Sequence, residues 1–518
     1  MNGGQALIRT LVNSGVDVCF MNPGTSEMHF VAALDDVPEM RGVLGLFEGA
    51  VTGAADGYAR MADQPAATLL HLGPGLGNGV ANLHNARKAK TPIVNIVGDH
   101  ATYHKQYDAQ LESDIEAIAR NVSPGFVRWC KEPGHVGEDA VETVRAAYGP
   151  PGQVATLILP ADVSWTEGAT PADGATRPVR REPSSESVEL VAKAMRSGEP
   201  TGILIGGSAC RRAALELVAR LSASTGCKVL CETFPSRLER GAGIPPVERI
   251  AYLAEFAMTQ LDGLQHLVLV DAKAPVSFFA YPEKPSYLVP DGCEVHVLAD
   301  PSEDAVRALE ALCDAVGASG DGVRAAASRP GRPSGALSAQ GVCEALGALL
   351  PEGAIVSDEG NTSGLFASRA TEGAPPHDWL CLTGGAIGQG LPVAVGAAVA
   401  CPDRRVVSIE ADGSAMYTLQ SLWTMAREGL DVTTIVFANR SYAVLNMELN
   451  RVGASSGGAK AKEMLDISRP DIDFVSLAKG MGVPAVRPDD LESFTTELER
   501  ALNTPGPSLL HAEIPSLM

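Results

Sequence analysis

Asp412 and Asn439 bracket the chemistry-bearing part of the stretch RVVSIEADGSAMYTLQSLWTMAREGLDVTTIVFANRSY (405–442). Val406, Val407 and Ile409 form a β-branched run that stops at Glu410-Ala411-Asp412-Gly413, so a buried strand ends there. A helix is predicted from Ser414, because Met416, Leu419, Leu422, Trp423 and Ala426 recur at helical spacing and Gly429 stops the run. Val432 to Phe437 then read as a second buried strand, ending at Asn439. Such a strand–helix–strand unit needs parallel, neighbouring strands, and it delivers Asp412 and Asn439 to the edge where open α/β sheets bind ligands. A carboxylate and an amide oxygen suit Mg²⁺, which completes its octahedron with phosphate and other oxygens. The positive end of a helix at Ser414 favours a phosphate. An ordinary strand–turn–helix with Asp412 as helix cap fits the same residue types.

Glu48 is the second group with chemistry to offer. It follows the strand-like run Gly42 to Phe47 and precedes Gly49-Ala50-Val51. A carboxyl group in such apolar surroundings is readied as a proton donor, and a salt-bridged, helix-capping glutamate is the plainer alternative. Around it the pattern predicts a helix at Gln5–Ser14, a strand at Val18–Met21 leading into the turn Asn22-Pro23-Gly24-Thr25, and a helix at Ala50–Met61. A strand at Ala67–Leu72 runs into a glycine-rich loop, Gly73 to Gly79; a strand at Ile93–Val97 and a polar loop from Asp99 to Asp114 follow. The glycine-rich loop Gly73 to Gly79 lacks GxGxxG spacing and a following ribose-binding acid, so it is no dinucleotide fingerprint. His71, at a strand end, offers a proton relay near neutral pH or a merely structural imidazole. His100 and His104 lie in a loop without a third ligand, which argues against a zinc pair.

The chain of 518 residues is too long for one core. Alternating strands and helices predict α/β architecture in three doubly wound parallel-sheet domains, at 1–165, 190–316 and 340–518. Pro-, Ala-, Ser- and charge-rich residues 166–190 and 316–340 read as linkers. Strands are predicted near 202–205, 228–231, 267–270 and 294–298, and Asp358-Glu359-Gly360-Asn361-Thr362 marks another strand end. Net charge of −21 argues against nucleic acid or anionic membrane as a partner. Ten cysteines without paired CxxC motifs, Cys227 and Cys231 among them as buried thiols, point to a reducing, cytoplasmic compartment. No signal peptide is visible, and the uncharged run Thr383–Cys401 is broken by glycines, Gln389 and Pro392, which predicts a loop entering a buried helix rather than a membrane span.

Asp-Gly-Ser at 412–414, a helix, a strand and then Asn439 resemble the diphosphate–Mg²⁺ motif of thiamine diphosphate (ThDP) enzymes, with Ala411 and Ala438 in place of a Gly and an Asn. Asn22-Pro23-Gly24, Glu48 with GAADGYAR downstream, Gly73-Pro74-Gly75 and Gly388 to Pro392 occur in the family's order. Over nearly its whole length the chain is similar to the acetolactate synthase large subunit and benzoylformate decarboxylase (pyruvate decarboxylase-like) family. The resemblance implies ThDP and Mg²⁺ as cofactors, with Asp412, Asn439 and the Ser441 carbonyl as metal ligands. It implies cofactor contacts from Asn22, Pro23, Gly24, Gly73, Pro74, Asn361, Thr362, Ala386, Gly413, Ser414 and Tyr442, and from Ile387 as the apolar prop beneath a bent cofactor. Glu48 would hydrogen-bond the aminopyrimidine ring. His71 and Thr25 stand where benzoylformate decarboxylases carry a histidine and a serine, and Ala280 replaces their second histidine. Gln110-Leu111 replace the Phe-Gln pair of acetolactate synthases, Glu448 replaces their tryptophan, and Val444 and Leu445 fall where the family lines its pocket. The implied reaction is decarboxylation of a 2-keto acid to an aldehyde, or to a 2-hydroxy ketone after attack on a second carbonyl. Also implied is a homodimer or homotetramer with sites between subunits. No flavin pattern is recognisable in the central segment, which argues against FAD, although Arg237 and Arg240 could hold an anion. A catalytically silent regulatory paralogue is the competing class, and the retained Glu48 and Asp412 count against it.

Overall fold

Runs of Val, Ile and Leu that are buried on both faces build three sheets, which is how parallel strands covered by helices read in sequence. The structure, a computed structural model, describes residues 1–454 and 457–516. The first sheet has six parallel strands in the order Arg41–Leu44, Val18–Asn22, Ala66–Leu70, Ile93–Asp99, Val154–Pro160, Val127–Trp129. Its order reverses between Val18–Asn22 and Ala66–Leu70, so Asn22 and His71 leave neighbouring strands at a switch point. The middle sheet runs Glu248–Arg249, Lys228–Cys231, Thr201–Ile205, His266–Val270, Glu294–Ala299. The third has seven strands: Ala485–Val486, Ser508–Glu513, Val432–Ala438, Val406–Ala411, Ile355–Glu359, His377–Cys381 and Leu238–Arg240. That last strand is antiparallel and comes from the middle of the chain, so the central segment lends an edge to its neighbour. The doubly wound α/β class expected from the alternation is what the chain adopts.

Four elements differ from expectation. Gly73–Gly79 is no loop; it forms the opening turns of a helix, Leu72–Ala89. Pro74 is tolerated there because the first helical N–H groups have no intrahelical acceptor anyway. The helix expected from Ser414 is a single turn, Asp412–Ala415, and helix resumes only at Ser421–Glu428. Helix Ser185–Arg196 starts inside the first expected linker, capped by the Ser184 side chain, and Ala339–Leu349 starts just inside the second, capped by Ser338.

Helix Glu48–Ala62 packs along helix Gly390–Ala400 and joins the first and third sheets. Their backbones all but touch: a Cβ on Gly396 would lie 1.8 Å from the Ala54 carbonyl oxygen, and one on Gly57 2.1 Å from that of Val393. Cys227 and Cys231 are buried free thiols. Among the described residues no helix is long and apolar enough to cross a membrane.

Candidate functional site

Strands Val406–Ala411 and Val432–Ala438 pair in register, Ala411 opposite Phe437, so Asp412 and Asn439 emerge side by side. Asp412 is buried; its Oδ1 accepts the Gly413 N–H at 2.8 Å and its Oδ2 the Arg440 N–H at 2.6 Å. Burial pushes this carboxyl above its ordinary range, and the backbone N–H groups pull it back. Asn439 Oδ1 accepts the Ser441 N–H at 3.0 Å, across a turn in which Arg440 takes a left-handed φ of 58°. Each carboxylate oxygen keeps a further lone pair, as does the amide oxygen. Together with the Ser441 carbonyl these are hard oxygen donors, a set that fits Mg²⁺. A second turn, after strand Ile355–Glu359, brings Asn361 Nδ2 within 2.8 Å of Ser414 Oγ, with Thr362 next in the chain. The Tyr442 ring closes over Gly413, where a Cβ would lie 2.4 Å from it.

The break at 416–420 has a physical cause. Thr418 donates its hydroxyl to the Gly388 carbonyl at 3.0 Å, and the Tyr417 side chain packs on Gly388. Gly388, at φ 93°, lies in the bend carrying Ala386 and the partly exposed Ile387. Glu359, buried under that bend, accepts the Gly388 N–H at 2.7 Å and the Gly390 N–H at 2.5 Å. Burial raises Glu359 to about 7, and burial together with the Glu359 charge pushes neighbouring Glu410 well up. From the first sheet's side, Asn82 bonds both the Gly49 and Gly388 carbonyls (2.8 and 3.0 Å), and Asn85 bonds that of Ala386 (2.8 Å). Sequence reading placed Glu359 only within a strand-end run, without a role, and did not single out Asn82 or Asn85.

Glu48 is the first residue of its helix and is buried, with Oε2 accepting from Asn78 Nδ2 at 3.0 Å. That partner is a neutral amide and not a cation, so the surroundings of Glu48 are not wholly apolar and the contact is not a salt bridge. Helical glycine at 75 makes room: a Cβ there would come 2.9 Å from Glu48 Oε1. His71 is not a lone imidazole. Its Nδ1 lies 2.8 Å from Oε2 of Glu27, a buried carboxylate that also accepts the Gly24 N–H at 2.7 Å. Glu27 Oε1 is buried without a partner, over Gly98. The sequence reading missed Glu27; the Gly24-to-Glu27 spacing, that of a capping box, was its available signal. Leu72, beside His71, holds a left-handed φ of 51°. Thr25 is exposed at the start of the turn Thr25–Glu27, next to Asn22, Pro23 and Gly24.

The expected pocket residues lie further out. Gln110 and Leu111 are exposed, in a loop whose Ser113 lies against Gly73. Val444 and Leu445 open helix Ala443–Arg451, with Leu445 exposed. On the same helix Glu448 is buried and accepts from the Tyr281 and Tyr252 hydroxyls (3.2 and 3.4 Å). Phe278 sits against Gly385, its ring 5.2 Å from that of Tyr252; sequence reading did not find this aromatic cluster. Arg237 and Arg240 are committed elsewhere, to Asp378 and the Arg60 and Met61 carbonyls, and to Ser368 and Thr371. Neither is therefore free to hold a ligand anion, as the sequence reading had allowed.

Residues 1–118 match the thiamine pyrophosphate enzyme N-terminal TPP binding domain, and residues 358–512 the C-terminal TPP binding domain. A Mycobacterium tuberculosis protein provisionally named acetolactate synthase large subunit IlvX is 60% identical, over 100% of both chains. The chain belongs to the thiamine pyrophosphate enzymes. Benzoylformate decarboxylase of Pseudomonas aeruginosa is 30% identical over 99% of this chain and 98% of its own. In fold, this thiamine pyrophosphate enzyme superposes on a 4-hydroxybenzoylformate decarboxylase of Rhodococcus jostii RHA1 with TM-score 0.85 at 22% identity, covering 99% of each chain.

Proposed function

We propose that the chain binds ThDP with Mg²⁺ held by Asp412, Asn439 and the Ser441 carbonyl, and decarboxylates a 2-keto acid with carboligation to a second carbonyl. The observation carrying this reading is the in-register pairing that sets the buried Asp412 beside Asn439. When bound, ThDP supplies the carbon nucleophile and electron sink that loss of CO₂ requires. Glu48, oriented by Asn78, would hydrogen-bond the cofactor's aminopyrimidine ring. Asp412 and Asn439 would hold the Mg²⁺ whose charge offsets that of the diphosphate, Ser414, Asn361 and Thr362 would orient the diphosphate, and Ile387 sits on a bend fixed by Glu359. Gln110, Leu111, Val444 and Leu445 bound the substrate's approach.

A second reading, a non-oxidative decarboxylase releasing an aldehyde, is favoured by one observation. Glu27 fixes Nδ1 of His71, which leaves Nε2 as the nitrogen that would take up a proton from water and pass it to the product carbon. In either reading FAD takes no part, and the enzyme is a cytoplasmic homodimer or homotetramer. Leu46, Leu365, Met416 and Tyr417 support that assembly, because they are exposed apolar side chains a few residues along the chain from Glu48, Asn361 and Asp412. The test is incubation with ThDP, Mg²⁺ and pyruvate, 2-ketobutyrate, benzoylformate or branched keto acids, with CO₂ and products measured. A 2-hydroxy ketone supports the first reading and an aldehyde the second. No CO₂ from any of them, with ThDP bound, would favour the silent regulatory paralogue.

A further inference from the structure

At the amino edge of the middle sheet three metal-ligating side chains converge. Strands His266–Val270 and Glu294–Ala299 are parallel, with His266 opposite Glu294 and Val268 opposite His296. The two-residue period of a strand puts Glu294 and His296 on one face. His266 Nδ1 lies 3.1 Å from His296 Nε2, and Glu294 Oε2 lies 3.8 Å from each of those nitrogens. Two ligands at about 2.0–2.1 Å on a tetrahedral ion stand roughly 3.3–3.4 Å apart, so shifts of a few tenths of an ångström would close the triangle on one ion. The other nitrogen of His266, Nε2, faces Glu199 Oε2 at 2.9 Å. A carboxylate bonded to the far side of a ligating imidazole is the usual companion of a metal-bound histidine, since it fixes the tautomer that leaves Nδ1 a lone pair. Both imidazoles are buried, whereas Glu294 is exposed, so the fourth position of a tetrahedron opens to water. The opposite, carboxyl edge of this sheet is the one tied to the first sheet's side, through Lys90 and Asp271 at 2.8 Å.

We propose that His266 Nδ1, His296 Nε2 and the Glu294 carboxylate bind one zinc ion, oriented through Glu199, which clips the amino ends of these two strands together. Two imidazoles with one carboxylate suit Zn²⁺ and not Mg²⁺, so the site is chemically separate from the oxygen cradle at Asp412. The test titrates metal-stripped full-length protein with Zn²⁺ at constant Mg²⁺, measures bound zinc per chain, and follows the unfolding midpoint. One equivalent of zinc is expected, with a higher midpoint in its presence, and Co²⁺ in its place should give the absorption of a four-coordinate ion. Zinc affinity should fall at least tenfold in His296→Ala and about 10–100-fold in Glu199→Gln, as removal of an outer-shell partner does elsewhere. Glu294→Gln, at an exposed position, checks the ligand role without disturbing a buried side chain. Asp412→Ala should keep the zinc equivalent, and His296→Ala should keep ThDP-dependent CO₂ release. Wild-type protein that retains no zinc at micromolar concentration, or equal affinity in wild type, His296→Ala and Glu294→Gln, overturns the proposal and leaves a hydrogen-bonded polar cluster.

Discussion

The Glu48 side chain accepts from the Asn78 amide at 3.0 Å, a contact that positions the carboxylate without neutralising it. Glutamine would keep that contact through its own amide oxygen while losing the carboxyl proton. Glu48→Gln should therefore fold and bind ThDP as the wild type does, yet release CO₂ about 10²–10⁴-fold more slowly, the range for loss of an acid–base group. Steady-state CO₂ release alongside a thermal unfolding curve checks this, and wild-type turnover in the variant would remove Glu48 from the mechanism. At this scale sequence was informative where a polar residue follows the end of a strand, as Asp412 and Asn439 do, because the break in a β-branched run is a local signal; Glu48 instead opens a helix after its strand has already ended at Leu44. Sequence was blind to Glu27. That carboxylate meets His71 across 44 residues of chain and fits only because Gly98 leaves space beneath it. Neither fact is written in the neighbourhood of Glu27.

The bend at Gly388–Gly390 hangs on two N–H groups that both end on Glu359. Removing the acceptor orphans them in a buried place, at a cost of about 1–3 kcal/mol for such a group. Glu359→Ala should thus weaken ThDP binding about tenfold or more, in a calorimetric titration with Mg²⁺ present. Glu359→Gln, which keeps one acceptor oxygen, should recover part of that loss, and unchanged affinity in the alanine variant would detach the bend from cofactor binding. Strand His377–Cys381 offers a prediction about pH. Burial, then the Arg240 charge, lower buried His377 from 6.5 to about 4. Unfolded, it takes up a proton as pH falls past 6.5; folded, only near 4. Between those values the unfolded chain binds more protons, so stability falls as pH falls through that window and this contribution is complete above it. The loss attached to this residue is on the order of 3 kcal/mol. The unfolding midpoint of a His377→Phe variant, compared with wild type, should gain on it steadily from pH 6.5 down to 4; parallel pH profiles would refute this. Elements were legible wherever periodicity was set by burial. They were misread at Gly73–Gly79 and at 416–420, where glycine and threonine serve contacts from another part of the chain: room for Glu48 in one case, a hydroxyl on Gly388 in the other.

Across the whole molecule, three sheets were readable from the alternation of buried runs and helices, but the loan of Leu238–Arg240 to the third sheet was not. An edge strand of three residues with charges on it carries no hydrophobic pattern. How copies of the chain combine is likewise a property of surfaces, and here exposure gives the lead. Leu46, Leu365, Met416 and Tyr417 lie a few residues along the chain from Glu48, Asn361 and Asp412 and are exposed apolar side chains in a single chain. On the proposed reading, in which sites form between subunits, a second copy covering them would set Glu48 of one chain against the Asp412 cradle of the other. Two inactive variants then decide the matter. Glu48→Gln and Asp412→Ala chains, each inactive alone, should regain activity when unfolded together, mixed in equal amounts and refolded. Half of randomly formed dimers are hybrids, and one of the two sites in each hybrid is intact, so about a quarter of wild-type activity is expected for a two-fold assembly. If each site were built from one chain, no hybrid would contain an intact one and the mixture would stay inactive. The prediction requires that both variants assemble, so sedimentation should show each forming the wild-type oligomer, and a mixture that remains dead despite that would place Glu48 and Asp412 in a common subunit.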